Sequence, residues 1–215
     1  MKLEGAIFDM DGTLLNSMYI WETYGSDYLK SRGIEPRSGV DAVTVAMSLQ
    51  NAARYLIREY GLADSEETIV NDINLMVEDQ YFHLVQPKPG VPELLKRLHE
   101  GGVRMAVATA TDRYQVEAAL ERCGLMRYFS AIFTAPEHGS KRETRIFEAA
   151  LSHLGTRREC TVLFDDALYA LKTAKAAGMP VVAIYDRSQT KDEDEIRNLA
   201  DLYLNSFEES EKLGL

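Results

Sequence analysis

Gly5-Ala6-Ile7-Phe8-Asp9-Met10-Asp11-Gly12-Thr13 sets two carboxylates two residues apart, where a short apolar run gives way to a glycine turn. The apolar run reads as a buried strand. Such a strand delivers its last side chain to the carboxyl edge of a parallel sheet, where open α/β sheets keep their sites. Asp9 is expected on that edge. Gly12 lets the backbone turn with φ > 0, so that Asp11 can fold back over the same pocket, and the Thr13 hydroxyl can tie the loop down. The arrangement predicts phosphoryl transfer. Asp-x-Asp-Gly is also ordinary turn chemistry, so the other strand ends have to decide between the two readings.

Beyond about residue 88, β-rich runs alternate with longer helical ones, the pattern of a parallel sheet with helices on both faces. Strands are expected over residues 4–9, 103–109, 131–134, 161–165 and 180–185. Helical runs such as Gln115–Leu120 and Ile146–Leu151 lie between them, with Gly124, Gly155 and Gly178 as helix stops. Residues 17–87 differ. They carry three helical periodicities and no strand: Ile20, Tyr24, Tyr28; then Val43, Met47, Ala53, Ile57, Tyr60; then Ile69, Ile73, Val77, Gln80, Leu84. The expected organisation is therefore an α/β core of residues 1–16 and 88–215, Rossmann-like, interrupted by a helical cap over 17–87. Pro87-Lys88-Pro89-Gly90 reads as the hinge.

With 215 residues and 46% hydrophobic content, the chain can bury one sizeable core and a smaller accessory one. Its net charge of −10 argues against nucleic acid or an anionic membrane as a partner. A small anionic ligand stays compatible if a metal and a few local cations reverse the field in the pocket. Cys123 and Cys160 have no metal-ligand spacing and read as free thiols. Asp9 and Asp11 fall where a signal peptide would be apolar, and no apolar run reaches membrane-spanning length. A cytoplasmic, monomeric protein is expected.

The remaining chemistry falls at the other strand ends. Thr109 ends its strand, and Thr111 or Asp112 can cap the next helix, so a hydroxyl and backbone N–H groups converge into a phosphate seat. Lys141, in a loop before a helix, is a flexible point charge able to neutralise phosphate oxygens and an attacking carboxylate. Asp165 and Asp166 end an apolar strand, and paired acids there repel unless a cation binds. Asp9, Asp11, Asp165 and Asp166 together suit Mg²⁺, a hard cation bound by a few carboxylates plus phosphate and water.

The order and spacing of Asp9-x-Asp11-Gly12-Thr13, Thr109, Lys141 and Asp165-Asp166 resemble the four motifs of the haloacid dehalogenase-like hydrolases, over essentially the whole chain. The helical insertion resembles that family's first type of cap. The resemblance implies Asp9 as nucleophile, forming an aspartyl-phosphate, and Asp11 as general acid and base whose backbone carbonyl also binds Mg²⁺. It implies Asp166 as a further metal ligand and Asp165 as one acting directly or through water. Thr109, the Ala110 N–H, Lys141 and the Met10 N–H would hold the transferring phosphoryl group.

Lys141-Arg142-Glu143-Thr144-Arg145 departs from the family's Lys-Pro-x-Pro-Asp pattern. Arg142 and Arg145 there either read a second anionic group or face water. The implied activity is a phosphatase of small phosphorylated metabolites, sugar phosphates foremost. A β-phosphoglucomutase-like phosphomutase is the alternative, although Tyr19-Ile20-Trp21 offers no histidine where those enzymes carry one. A further alternative is a non-catalytic metabolite-binding protein on the same fold. Tyr19, Trp21, Met47, Asn51 and Arg54 are the candidate specificity residues of the cap, expected on its first two helices. Of the four histidines, His138 alone lies near a catalytic loop.

Overall fold

The computed structural model describes residues 3–45 and 47–214. The chain forms two compact units, one of Met1–Asn16 with Val85–Leu215, the other Ser17–Leu84. The first unit holds six strands: β1 (Gly5–Phe8), β2 (Arg104–Thr109), β3 (Ala131–Thr134), β4 (Thr161–Asp165), β5 (Val181–Ile184) and β6 (Leu202–Leu204). All pair in parallel, in the order β3-β2-β1-β4-β5-β6. The chain steps outward from β1 to β3 and then restarts at β4 on the other side of β1. The carboxyl ends of β1 and β4 therefore flank the topological switch point, where such sheets open a crevice. β6 is a three-residue edge strand that the sequence reading did not anticipate.

The second unit is helical: α1 (Met18–Ser31), α2 (Val40–Thr44), α3 (Leu49–Tyr60) and α4 (Glu66–Asp79), the last running into a π-helical turn, Gln80–Leu84. α1 buries Ile20, Tyr24 and Tyr28, and α4 buries Ile69, Ile73 and Val77, on the expected periods. The period drawn through Val43, Met47 and Ala53 is broken, however. Ser48 starts a new helix by accepting the Asn51 N–H, so Val43 is left exposed on α2 and Met47 falls in the connection.

The first unit adds α5 (Val91–Glu100), α6 (Arg113–Arg122), α7 (Ala135–His138), α8 (Arg145–Leu154), α9 (Leu168–Ala176) and α10 (Glu193–Leu199). Ile7, Leu163 and Val181 pack with Ile146, Phe147 and Ala150 of α8 and Leu171 of α9 into one apolar layer. Side chains alternate along a strand, so Phe8 and Phe164, partners in register, face the other way. Their rings stack at 4.5 Å and 7°, and Phe207, beyond β6, adds its ring 6.1 Å from Phe164.

The stretch read as a hinge is held to the first unit at each of its residues. Leu15 bridges Pro87, the Lys88 N–H donates to the Leu14 carbonyl at 2.9 Å, and the Ser206 hydroxyl reaches the Pro89 carbonyl at 3.5 Å. Gly90, at φ 82°, lies so close to the Phe207–Glu208 backbone that a Cβ would collide with it. The passage from helical unit to sheet unit lies at Leu84–Val85, ahead of the proline pair.

Candidate active site

β1 is buried along its length, and the Asp9 N–H continues its ladder by donating to the Phe164 carbonyl at 2.9 Å. This carries a buried Asp9 onto the carboxyl edge. The Met10 carbonyl then accepts from Thr13 and Leu15, and Gly12, at φ 77°, donates back to Leu15, closing the turn. The Thr13 hydroxyl donates to Asp166 Oδ1 at 3.2 Å, which joins the β1 loop to the β4 end.

Lys141, wholly buried, places Nζ 2.6 Å from Asp9 Oδ1 and 2.8 Å from Asp165 Oδ2. Asp165 Oδ1 accepts the Ala167 N–H at 2.9 Å, so both of its oxygens are engaged. Asp9, Asp165 and Asp166 each bring an oxygen within 4.8 Å of the others. Burial pushes Asp9 up to about 7, opposed by Lys141 and reinforced by Asp165 and Asp11. Burial also raises Asp166 well above the usual carboxylate range, with Asp9 and Asp165 adding to it. Burial alone would lower Lys141, but Asp165 and Asp9 outweigh it and hold the ammonium charged. Three buried carboxylates thus face one ammonium, a shortage of positive charge that a hard divalent cation fits.

Asp11 stands apart from that trio. Its Oδ2 accepts the Thr111 hydroxyl at 2.5 Å, while the Thr111 N–H donates to Thr109 Oγ1 at 3.2 Å. This corrects the capping reading: Thr111 serves Asp11, and Asp112 occupies the N-cap position of α6 without a side-chain bond. Thr109 is fully buried and Ala110 is exposed directly after β2. The carboxyl edge of the sheet therefore gathers Asp9, Met10, Asp11, Thr109, Lys141, Asp165 and Asp166 from four segments. Thr111 was the residue whose role the sequence hid, since a hydroxyl two positions past a strand reads equally well as a cap.

The cap candidates are scattered within the helical unit. Tyr19 donates to Gln80 Oε1 and lines a cavity of about 130 Å³ with Tyr24, Ile73 and Met76. The Trp21 indole donates to the Tyr81 hydroxyl at 3.3 Å. Asn51 and Arg54 lie on α3, the third helix, and Met47 lies before it, which corrects their assignment to the first two helices. The Arg54 guanidinium is clasped by both oxygens of Glu66, at 2.7 and 3.0 Å. His138 packs edge-on against Phe133, with ring centroids 5.1 Å apart.

Residues 6–184 match the family model described as haloacid dehalogenase-like hydrolase. The chain belongs to the haloacid dehalogenase-like hydrolases. Among relatives of this family, a phosphorylated carbohydrates phosphatase of Thermotoga maritima is 25% identical over 82% of each chain. The fructose-1-phosphate phosphatase YqaB of Escherichia coli is 28% identical over 85% of this chain and 97% of its own. A crystal structure from Thermotoga maritima, provisionally described as a beta-phosphoglucomutase, superimposes with a TM-score of 0.86 at 22% identity over 96% of both chains, which shows a shared fold. No helix among the described residues of this hydrolase is long and apolar enough to cross a membrane.

Proposed function

We propose that the chain is a Mg²⁺-dependent phosphatase of small phosphorylated metabolites, sugar phosphates foremost, working through an aspartyl-phosphate on Asp9. The observation that carries this reading is the pairing of a buried Asp9, 2.6 Å from the Lys141 ammonium, with a second acid, Asp11, two residues on and held by a separate hydroxyl. The phosphatase names borne by relatives support the class of substrate. In the first step an Asp9 oxygen attacks phosphorus in line, the ester P–O bond breaks, and Asp11 gives its proton to the leaving alkoxide. In the second, Asp11 takes a proton from water as that water attacks the same phosphorus, releasing phosphate and freeing Asp9. Lys141, the Thr109 hydroxyl and the Met10 and Ala110 N–H groups hold the phosphoryl oxygens.

Asp9, Asp166 and the Asp11 carbonyl would hold Mg²⁺, which supplies positive charge against the phosphoryl oxygens. Asp165, with both oxygens engaged, serves to aim Lys141.

Phosphate release from a panel of sugar phosphates and other phosphomonoesters, with Mg²⁺ and with chelator, tests this reading in the native chain and in Asp9→Asn. Metal-dependent release that vanishes in Asp9→Asn is expected. An isomerised sugar phosphate formed only with a bisphosphate primer would replace it with the mutase. Silence with both substrates and primer would point to a binding protein.

A further inference from the structure

In a chain of net charge −10, Arg32, Arg37, Arg54, Arg58, Arg113, Arg157 and Arg197 each pair with a carboxylate. Among the described residues Arg142 pairs with none, and like Arg127 it lies over a tyrosine ring. Its guanidinium carbon lies 4.4 Å above the centre of the Tyr169 ring, and among the described residues no carboxylate or carbonyl meets its side chain. A cation over a ring uses the face of the guanidinium, leaving its in-plane N–H fork open to a planar or tetrahedral anion.

The place is also specific. Arg142 directly follows Lys141, whose ammonium touches Asp9, and Tyr169 lies in the first turn of α9, three residues beyond Asp166. The half-buried Tyr169 hydroxyl shares the field of the acidic centre. Burial raises it, Lys141 opposes, and Asp165, Asp9 and Asp166 raise it further. Arg145, exposed at the start of α8, has neither a ring beneath it nor a partner among the described residues.

We propose that Arg142, carried on Tyr169 beside Lys141, binds a second anionic group on the substrate, so that the preferred phosphomonoesters also bear a carboxylate or another phosphate. This rests on the phosphatase reading and narrows its substrate class. Tyr169 acts as a positioning residue.

The test uses pairs matched except for one anionic group: glucose 6-phosphate with 6-phosphogluconate, and fructose 1-phosphate with fructose 1,6-bisphosphate. The native enzyme is expected to show a KM about tenfold lower for the more anionic member, the size of one charge-assisted contact. Arg142→Ala erases that ratio and Tyr169→Leu erodes it. Tyr169→Phe, which keeps the ring, restores it, and Arg145→Ala leaves the ratio in place. Added salt narrows the ratio in the native enzyme, because the contact lies at an exposed rim. Equal KM values within each pair, or a ratio that survives Arg142→Ala, overturns the proposal. Calorimetric binding of the same four compounds to Asp9→Asn reads the preference without turnover. Absent phosphate release therefore overturns the phosphatase reading, and absent binding preference overturns this one.

Discussion

Asp9 is asked to stay ionised in a place where burial favours its neutral form. Its ordinary value of 3.8 rises to about 7, so between those limits the folded chain binds the proton that the unfolded chain has released. Stability of the metal-free protein on this account falls as pH rises through that window, because the native state holds more protons. A divalent cation relieves the same penalty and must compete with the same proton. Mg²⁺ should therefore raise Tm more at about pH 8 than at about pH 5.5. An increment that is equal at the two values, or larger in acid, would show that these carboxylates do not hold the ion. Asp11 gives a second test, since its Oδ2 accepts the Thr111 hydroxyl. Thr111→Val should lower kcat about tenfold with little change in KM, the loss of one hydrogen bond that orients the catalytic acid. Thr111→Ser should recover most of it, and a Thr111→Val enzyme with native kcat would remove Thr111 from the machinery.

Gly90 shows how an element's boundary can be set by another element far along the chain. It opens α5 at φ 82°, and its missing Cβ is the space into which the Phe207–Glu208 backbone fits. Gly124, at φ 69°, ends α6 with nothing near its Cβ position. Gly124→Ala should cost about 1 kcal/mol, the left-handed strain alone. Gly90→Ala should cost about 2 kcal/mol more, because the backbone beyond β6 must also move. Urea melts of the two variants check this, and equal costs would mean that the close approach carries no weight. The same contact explains why Pro87-Lys88-Pro89-Gly90 looked like a hinge: its local chemistry is that of a loop, and what holds it, Leu14–Leu15 and Phe207–Glu208, lies far away in the sequence. The five longer strands and the helices between them were legible because each carries its own apolar pattern. β6 was not, since Leu202-Tyr203-Leu204 is too short to show a period and is recognised only by pairing with Val182–Ile184. α2 and α3 were merged for a related reason: apolar spacing does not register the break that the Ser48 cap imposes.

Taken whole, the molecule gathers charge at one edge of one sheet, and the sequence exposed the acids there more readily than the contacts that balance them. Asp9, Asp165 and Asp166 stood at visible strand ends, whereas the partner of Asp186 lies almost a hundred residues earlier. Lys88 places Nζ 2.7 Å from Asp186 Oδ2 and 2.8 Å from the Tyr185 carbonyl, and both side chains are largely buried. Asp186 also accepts the Ser188 N–H, and its charge is among those that raise Asp166. The pair thus ties the chain returning from the helical unit to the β5 end and supplies a cation beside an acidic centre. Removing the cation alone would strand a buried carboxylate, so Lys88→Met should cost about 3 kcal/mol in urea melts. Asp186→Asn should cost less than that, since the amide oxygen can still accept the Ser188 N–H. The double variant, with neither charge left, should be more stable than the sum of the two single costs allows, by at least about 1 kcal/mol. Strictly additive costs would mean that Lys88 and Asp186 act apart, leaving the Lys88 contact to the Tyr185 carbonyl and the backbone contacts of residues 87–90 to hold this seam.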